Sequence, residues 1–287
     1  MRVSYRDGKI PDMDSHDLQR WREQAREHGM PESDIDQWLG LARPHLTLHK
    51  AQDDPAAANA PIAGYRGGHP SLPPDVEWSG EPYFLASVDC AALPSGLPGL
   101  PLPMDGHLLF FHYDSALDID SYGHDGQVLY IPAGTATTER ATTASRLDEA
   151  LRRGVEPERF PLQCWPYWDP PNLECHGEFG SPDHFIELRP VGFIELLMHL
   201  EDPRPAYARD NEAMVLGGYC RMEWNPCAAA AHTDPEHKKW RQLASMDRYI
   251  YDGRDRVPFS VHWVIREDDL AGRNFDQVKT YSDNRWE

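Results

Sequence analysis

Two hydrophobic periods divide the chain. Near the N-terminus, apolar residues recur every three or four positions, as on one face of a helix. Leu18, Trp21 and Ala25 form one stripe, capped by Asp14 or Ser15 and ending near His28 with Gly29 as the stop. Pro31 and Ser33 open a second helix whose apolar face carries Ile35, Trp38, Leu39 and Ala42, with Pro44 near its end. Each helix is too short to persist alone, so the pair reads as a helical hairpin docked on something larger. Residues 51 to 61 are rich in Ala, Asp and Pro and read as a linker.

From Pro61 onward the period shortens to that of strands. Tyr83 to Asp89, His107 to Tyr113 and Gln127 to Ile131 read as strands, the second apolar on both faces and therefore central in a sheet. Ser145 to Arg153 reads as a short helix ended by Gly154, and His184 to Arg189 as a further strand. Phe193 to Leu200 fits a strand or a buried helix. Phe259, Val261, Trp263 and Ile265 alternate with polar neighbours, as in a half-buried strand.

The strand region repeats itself. Phe84-Leu85-Ala86-Ser87-Val88-Asp89 is echoed by Gln242-Leu243-Ala244-Ser245-Met246-Asp247. Gly67-Gly68 precedes the first copy and Gly217-Gly218 the second, and an apolar strand follows each. The echo predicts two related halves around a shared core. The domains are then a helical region and linker at 1–60, a first half at 61–204 and a second half at 205–287. The expected fold class is α+β, mostly antiparallel sheet with an internal duplication and an N-terminal helical hairpin.

The same residues carry a resemblance. Gly67-Gly68-His69-Pro70-Ser71-Leu72-Pro73, Trp78, Phe84 to Asp89, and Gly106-His107-Leu108-Leu109-Phe110-Phe111 are similar to the first half of the YwqG-like family, bacterial proteins built on a domain of unknown function. Leu216-Gly217-Gly218-Tyr219, Trp240 to Asp247, Asp268-Asp269-Leu270 and Phe275-Asp276-Gln277-Val278 resemble its second half. Ser87 and Ser245 stand where that family usually has Gln, and Gln163 to Asp183 reads as an insertion. The resemblance implies a duplicated fold rich in antiparallel sheet. It brings no catalytic residues with it.

Composition narrows the function classes. The net charge of −19 repels nucleic acid and anionic lipid, so neither is an expected partner. The N-terminus lacks the apolar core of a secretion signal, and no run is long enough to span a membrane. Five cysteines, an odd number, do not form a secreted disulfide framework, and a reducing cytoplasm fits them. Phosphate-binding glycine loops and the nucleophile-elbow motif are absent.

Two constellations carry candidate chemistry. Trp165-Pro166-Tyr167-Trp168 sets large rings among prolines in what reads as a rigid loop, with Cys164, Cys175 and His176 nearby. Trp165, Tyr167, Trp168 and His176 are the candidate contacts for a ligand or partner, against the alternative that the loop folds onto its own sheet. Cys220, Cys227, His232 and His237 combine thiolate and imidazole as a zinc site would, although the cysteine spacing departs from zinc knuckles. The alternative there is buried thiols and surface imidazoles. No cofactor is expected, zinc being the one alternative. The reading that results is a cytoplasmic binding protein for a protein partner or a small molecule, in one version an acidic neutraliser of a basic partner. A metal- or cysteine-dependent enzyme and a small-ligand sensor are the alternatives.

Overall fold

The computed structural model describes residues 16–51, 61–112, 126–141, 158–171, 200, 212–220, 226–236, 239–252 and 255–284. The N-terminal apolar stripes form α1 (His16–Glu27) and α2 (Glu32–Leu39), which bury Leu18, Ala25, Ile35 and Trp38 together. Arg22 bridges the pair, reaching Glu32 at 2.9 Å and Asp36 at 2.6 Å. The helical region stops there, because Arg43–Lys50 is strand β1.

The remaining large strands are β2 (Ile62–Arg66), β4 (Tyr83–Asp89), β5 (His107–His112), β6 (Gly126–Ile131), β8 (Phe160–Asp169), β9 (Glu212–Gly217), β10 (Trp240–Asp252), β11 (Asp255–Arg266) and β12 (Lys279–Asn284). With β1 they form one ten-stranded sheet in the order β12-β11-β10-β9-β1-β8-β2-β4-β5-β6. Every pairing within it is antiparallel. A small ribbon, β3 (Ser71–Leu72) with β7 (Thr138–Glu139), lies apart from it.

The sheet curls until it is nearly closed, like a barrel. Its two edges, β6 and β12, come so near that a Cβ on Gly126 would stand 2.6 Å from Thr280 Oγ1. Inside, side chains from both ends of the strand order share one core, among them Leu46, Val88, Phe110, Leu162, Met214 and Trp263. Trp263 reaches from β11 to β5, where its indole Nε1 donates to the Phe111 carbonyl at 3.1 Å. This corrects the expected α+β class. The protein is mostly antiparallel sheet, and its described helices are short covers on that sheet. The physical reason is that the nearly closed sheet fills its own interior and needs no helical layer to cover it.

The echo in the sequence corresponds to matching backbone register. In the first meander Tyr65 pairs with Ser87 and Arg66 with Ala86; in the second Val215 pairs with Ser245 and Leu216 with Ala244. The register shifts at Leu85 in β4 and at Leu243 in β10, and again at Ala63 in β2 and Ala213 in β9. Gly67, Gly68, Gly217 and Gly218 all have φ between 71° and 76°. That left-handed conformation suits glycine, and it turns the chain off β2 and β9 in the same way.

The leading strands are exchanged. β1 precedes the first meander in sequence yet pairs with β9 of the second, while β8 precedes the second yet pairs with β2 of the first. The two exchanged strands then pair with each other. Their registers are related by a pseudo-two-fold axis at the pair His49 and Gln163.

Close strand approach also explains Gly64. A Cβ there would lie 2.2 Å from the Ser87 carbonyl oxygen, a backbone atom. Gly64→Ala must push β2 and β4 apart, and overpacking of this kind costs about 1–3 kcal/mol. Urea denaturation should show the midpoint falling with an unchanged slope. An unaltered midpoint would show that the strands part freely.

Candidate functional site

The outer face of the first meander carries an open cleft. Strand alternation sets Tyr65, Ser87 and Leu109 in one row across β2, β4 and β5. The next row holds Asp89 opposite His107, and His107 opposite Ile131. The Gly67-Gly68 turn then carries His69 and Ser71 to the rim, and Arg159, just before β8, closes the other side. The Arg159 guanidinium lies over the Tyr65 ring, 3.5 Å from its centroid. Gly68 leaves room for that arginine, since a Cβ there would meet Arg159 Cβ at 2.8 Å. The cleft encloses about 290 Å³.

Its chemistry is mixed. Phe84, Leu109 and Ile131 give an apolar wall backed by a small core with Leu72 and Phe111. Ser87, Asp89, His69, His107 and Arg159 give donors and acceptors of both charge signs. The Asp89 carboxylate is oriented by the Ala91 amide, which donates to it at 3.0 Å.

The sequence profile of a family described as a domain of unknown function, DUF1963, matches residues 66–283. The chain belongs to this family. No curated protein matches the chain. The DUF1963 match starts at the end of β2, so β1 lies outside it although β1 pairs with two strands, β8 and β9. The narrower YwqG-like kinship rests on the motif resemblance alone.

Within the DUF1963 region, the second meander fills the positions that form the cleft in the first. Ser260 stands where His107 does, and its hydroxyl donates to Asp247 Oδ1 at 2.6 Å. His262 stands where Leu109 does, with Nδ1 3.0 Å from Gln242 Oε1, while Gln242 Nε2 donates to the Gly217 carbonyl at 2.9 Å. A helix, α3 (Pro226–His232), packs over this face on Trp240, Val264 and Tyr281. One copy is thus recessed and the other covered.

The sequence-predicted aromatic residues lie elsewhere. Trp165, Tyr167 and Trp168 sit in β8, a strand that continues through Pro161 and Pro166 where proline pointed to a loop. Trp165 packs edge-on against His49 with centroids 5.4 Å apart, and Tyr167 stacks on His45 at 5.8 Å. His45 Nδ1 also lies 3.3 Å from Asp169 Oδ2. Trp168 packs into the helical-hairpin cluster, beside Trp38, whose Nε1 donates to the Pro171 carbonyl at 2.8 Å. Tyr167 and Trp168 are buried and Trp165 is half-buried, so the three rings present little free contact surface. His176 and Cys175 lie outside the described residues.

Of the four metal candidates, the structure brings two together. Cys220 and Cys227 are buried with sulfurs 3.0 Å apart. His232 is exposed at the end of α3, and His237 lies outside the described residues. Among the described residues, no group of three or more His, Cys, Asp or Glu is arranged to hold a metal. Burial pushes the Cys90 thiol up to about 12 and also raises that of Cys164, which disfavours the reactive thiolate at both.

The sequence reading named none of the cleft residues as a site, though Ser87 and Asp89 stood in the repeated segment. The available signal was the glycine pair followed by a strand with Ser and Asp on one face.

Proposed function

We propose that this DUF1963 protein is a binding protein whose recessed first-half cleft takes a small polar ligand with one apolar face. One observation supports the reading above all: Tyr65, Ser87, Asp89, His107 and Arg159 converge on about 290 Å³ beside Leu109 and Ile131. Ligand sites are commonly concave, largely apolar and furnished with a few convergent polar groups. The second copy sharpens the contrast, because side-chain hydrogen bonds fill the equivalent positions there and α3 packs on the neighbouring Trp240, Val264 and Tyr281. The net charge of −19 favours capture of a basic protein partner, but charge alone names no surface.

Ser87→Trp tests the reading, because an indole on the cleft floor occupies the recess. A thermal-shift screen of the full chain with free amino acids, monosaccharides and small carboxylic acids should find at least one compound that raises the wild-type melting temperature. A ligand at one hundred times its dissociation constant stabilises by about 2.7 kcal/mol. The same compound should leave the folded Ser87→Trp variant unshifted. Equal shifts in the two proteins would place binding elsewhere, and no shift with any compound would count against this ligand class.

A further inference from the structure

Cys220 and Cys227 belong to no part of the cleft. Cys220 follows the Gly217-Gly218 turn, and Cys227 lies in the first turn of α3. Their sulfurs are 3.0 Å apart, both residues are at most 1% exposed, and no disulfide joins them. Ala230, Ala231, Trp240, Val264 and Tyr281 surround the pair. An apolar cluster has little use for two thiols in contact where aliphatic side chains would pack as well. The two sulfurs are already placed for a bond, and only small movements separate them from it.

We propose that Cys220 and Cys227 form an oxidisable dithiol that closes to an intramolecular disulfide by exchange with a low-molecular-weight disulfide. One cysteine thiolate attacks a sulfur of the small disulfide, breaks its S–S bond and releases one thiolate. The second cysteine thiolate then attacks the protein sulfur of this mixed disulfide and releases the other. The two cysteines lose two electrons, the small disulfide gains them, and the protons removed from the cysteines end on the two released thiols. Access comes through α3. A helix of seven residues does not hold itself, so it opens locally from the sheet without global unfolding. Closure then ties the first turn of α3 to the glycine turn that follows β9 and fixes the cover over the second copy.

The experiment uses the full chain, fully reduced, incubated under native conditions with oxidised glutathione, then alkylated in denaturant, so that buried free thiols react, and digested. The expected product is about 2 Da lighter than the reduced chain. Two of the five thiols are protected from alkylation, in one peptide pair joining Cys220 to Cys227. Cys227→Ser should lose the bond and instead trap a glutathione adduct on Cys220. Should the serine variant fold poorly, Cys220→Ala provides the same comparison, with the adduct on Cys227. The proposal is overturned if both cysteines remain alkylatable after prolonged incubation, if the bond joins a different pair, or if the isolated protein carries stoichiometric zinc that is lost in either variant.

Discussion

Trp263→Ala should cost this protein about 4 kcal/mol of unfolding free energy, within the range for removing a buried tryptophan. Trp263 is fully buried in the interior of the curled sheet. Its ring meets Phe110 edge-on, with centroids 5.2 Å apart and planes at 70°. Its indole N–H is also bonded to the Phe111 carbonyl. Alanine leaves a cavity at the point where β11 faces β5, and it leaves that carbonyl without its donor. Trp263→Phe separates the two contributions, because it keeps most of the ring and loses the donor; it should cost nearer 2 kcal/mol. Urea denaturation followed by circular dichroism measures both. A loss below about 1.5 kcal/mol for the alanine variant would mean that the two meanders are held together by something other than this contact.

The second large effect is expected at Asp234, in the turn that follows α3. This carboxylate is buried and fully engaged. Arg266 donates to it twice, at 2.8 and 2.7 Å, Trp240 Nε1 at 2.9 Å and the Glu236 amide at 3.0 Å. Burial by itself pushes its pKa up, but the Glu236 amide, the Trp240 indole and the Arg266 charge together hold it below the ordinary value. Asp234→Asn keeps the shape and removes the charge that all these donors face, which should cost about 3 kcal/mol at neutral pH. The folded-state pKa lies below the unfolded one. The stabilisation is therefore complete above the unfolded value of about 3.9 and is lost as pH falls through the folded value. Wild type and variant should differ most at pH 7 and converge in acid. A gap that persists unchanged at pH 3 would mean that the carboxylate charge is not its source.

How far the sequence revealed this structure depended on whether a signal was local. The repeat was legible because a glycine pair and a strand of Leu-Ala-Ser-apolar-Asp are contiguous, and two such segments need only be compared. α1 and α2 were legible from their apolar stripes. β1 was missed although Leu46 and Leu48 alternate with His45, Thr47 and His49, the pattern of a strand. That stretch was assigned to the helical region and linker, whereas packing buries both of its faces. The segment Trp165 to Trp168 was misplaced for a related reason. Proline argues against a central strand by removing an N–H donor, yet β8 carries Pro166 where β1 alone pairs with it, and Pro161 near its start opposite Tyr65 of β2. Of the cleft, only the glycine pair and the strand with Ser87 and Asp89 on one face were legible. Tyr65, Ser87, His107 and Arg159 are separated by long stretches of chain, and only the register of β8, β2, β4 and β5 assembles them.

The exchange of β1 and β8 has a consequence for how the chain reaches this state. The strand that completes the second meander is made before the first, so its partner β9 lies more than 160 residues downstream. The sheet therefore has high contact order, and its loops must close at large entropic cost before central pairing stabilises anything. Neither meander, cut out as a contiguous fragment, keeps its own leading strand beside it. The repeat visible in the sequence is thus a unit of backbone geometry, while the unit of cooperative folding is the whole interleaved sheet.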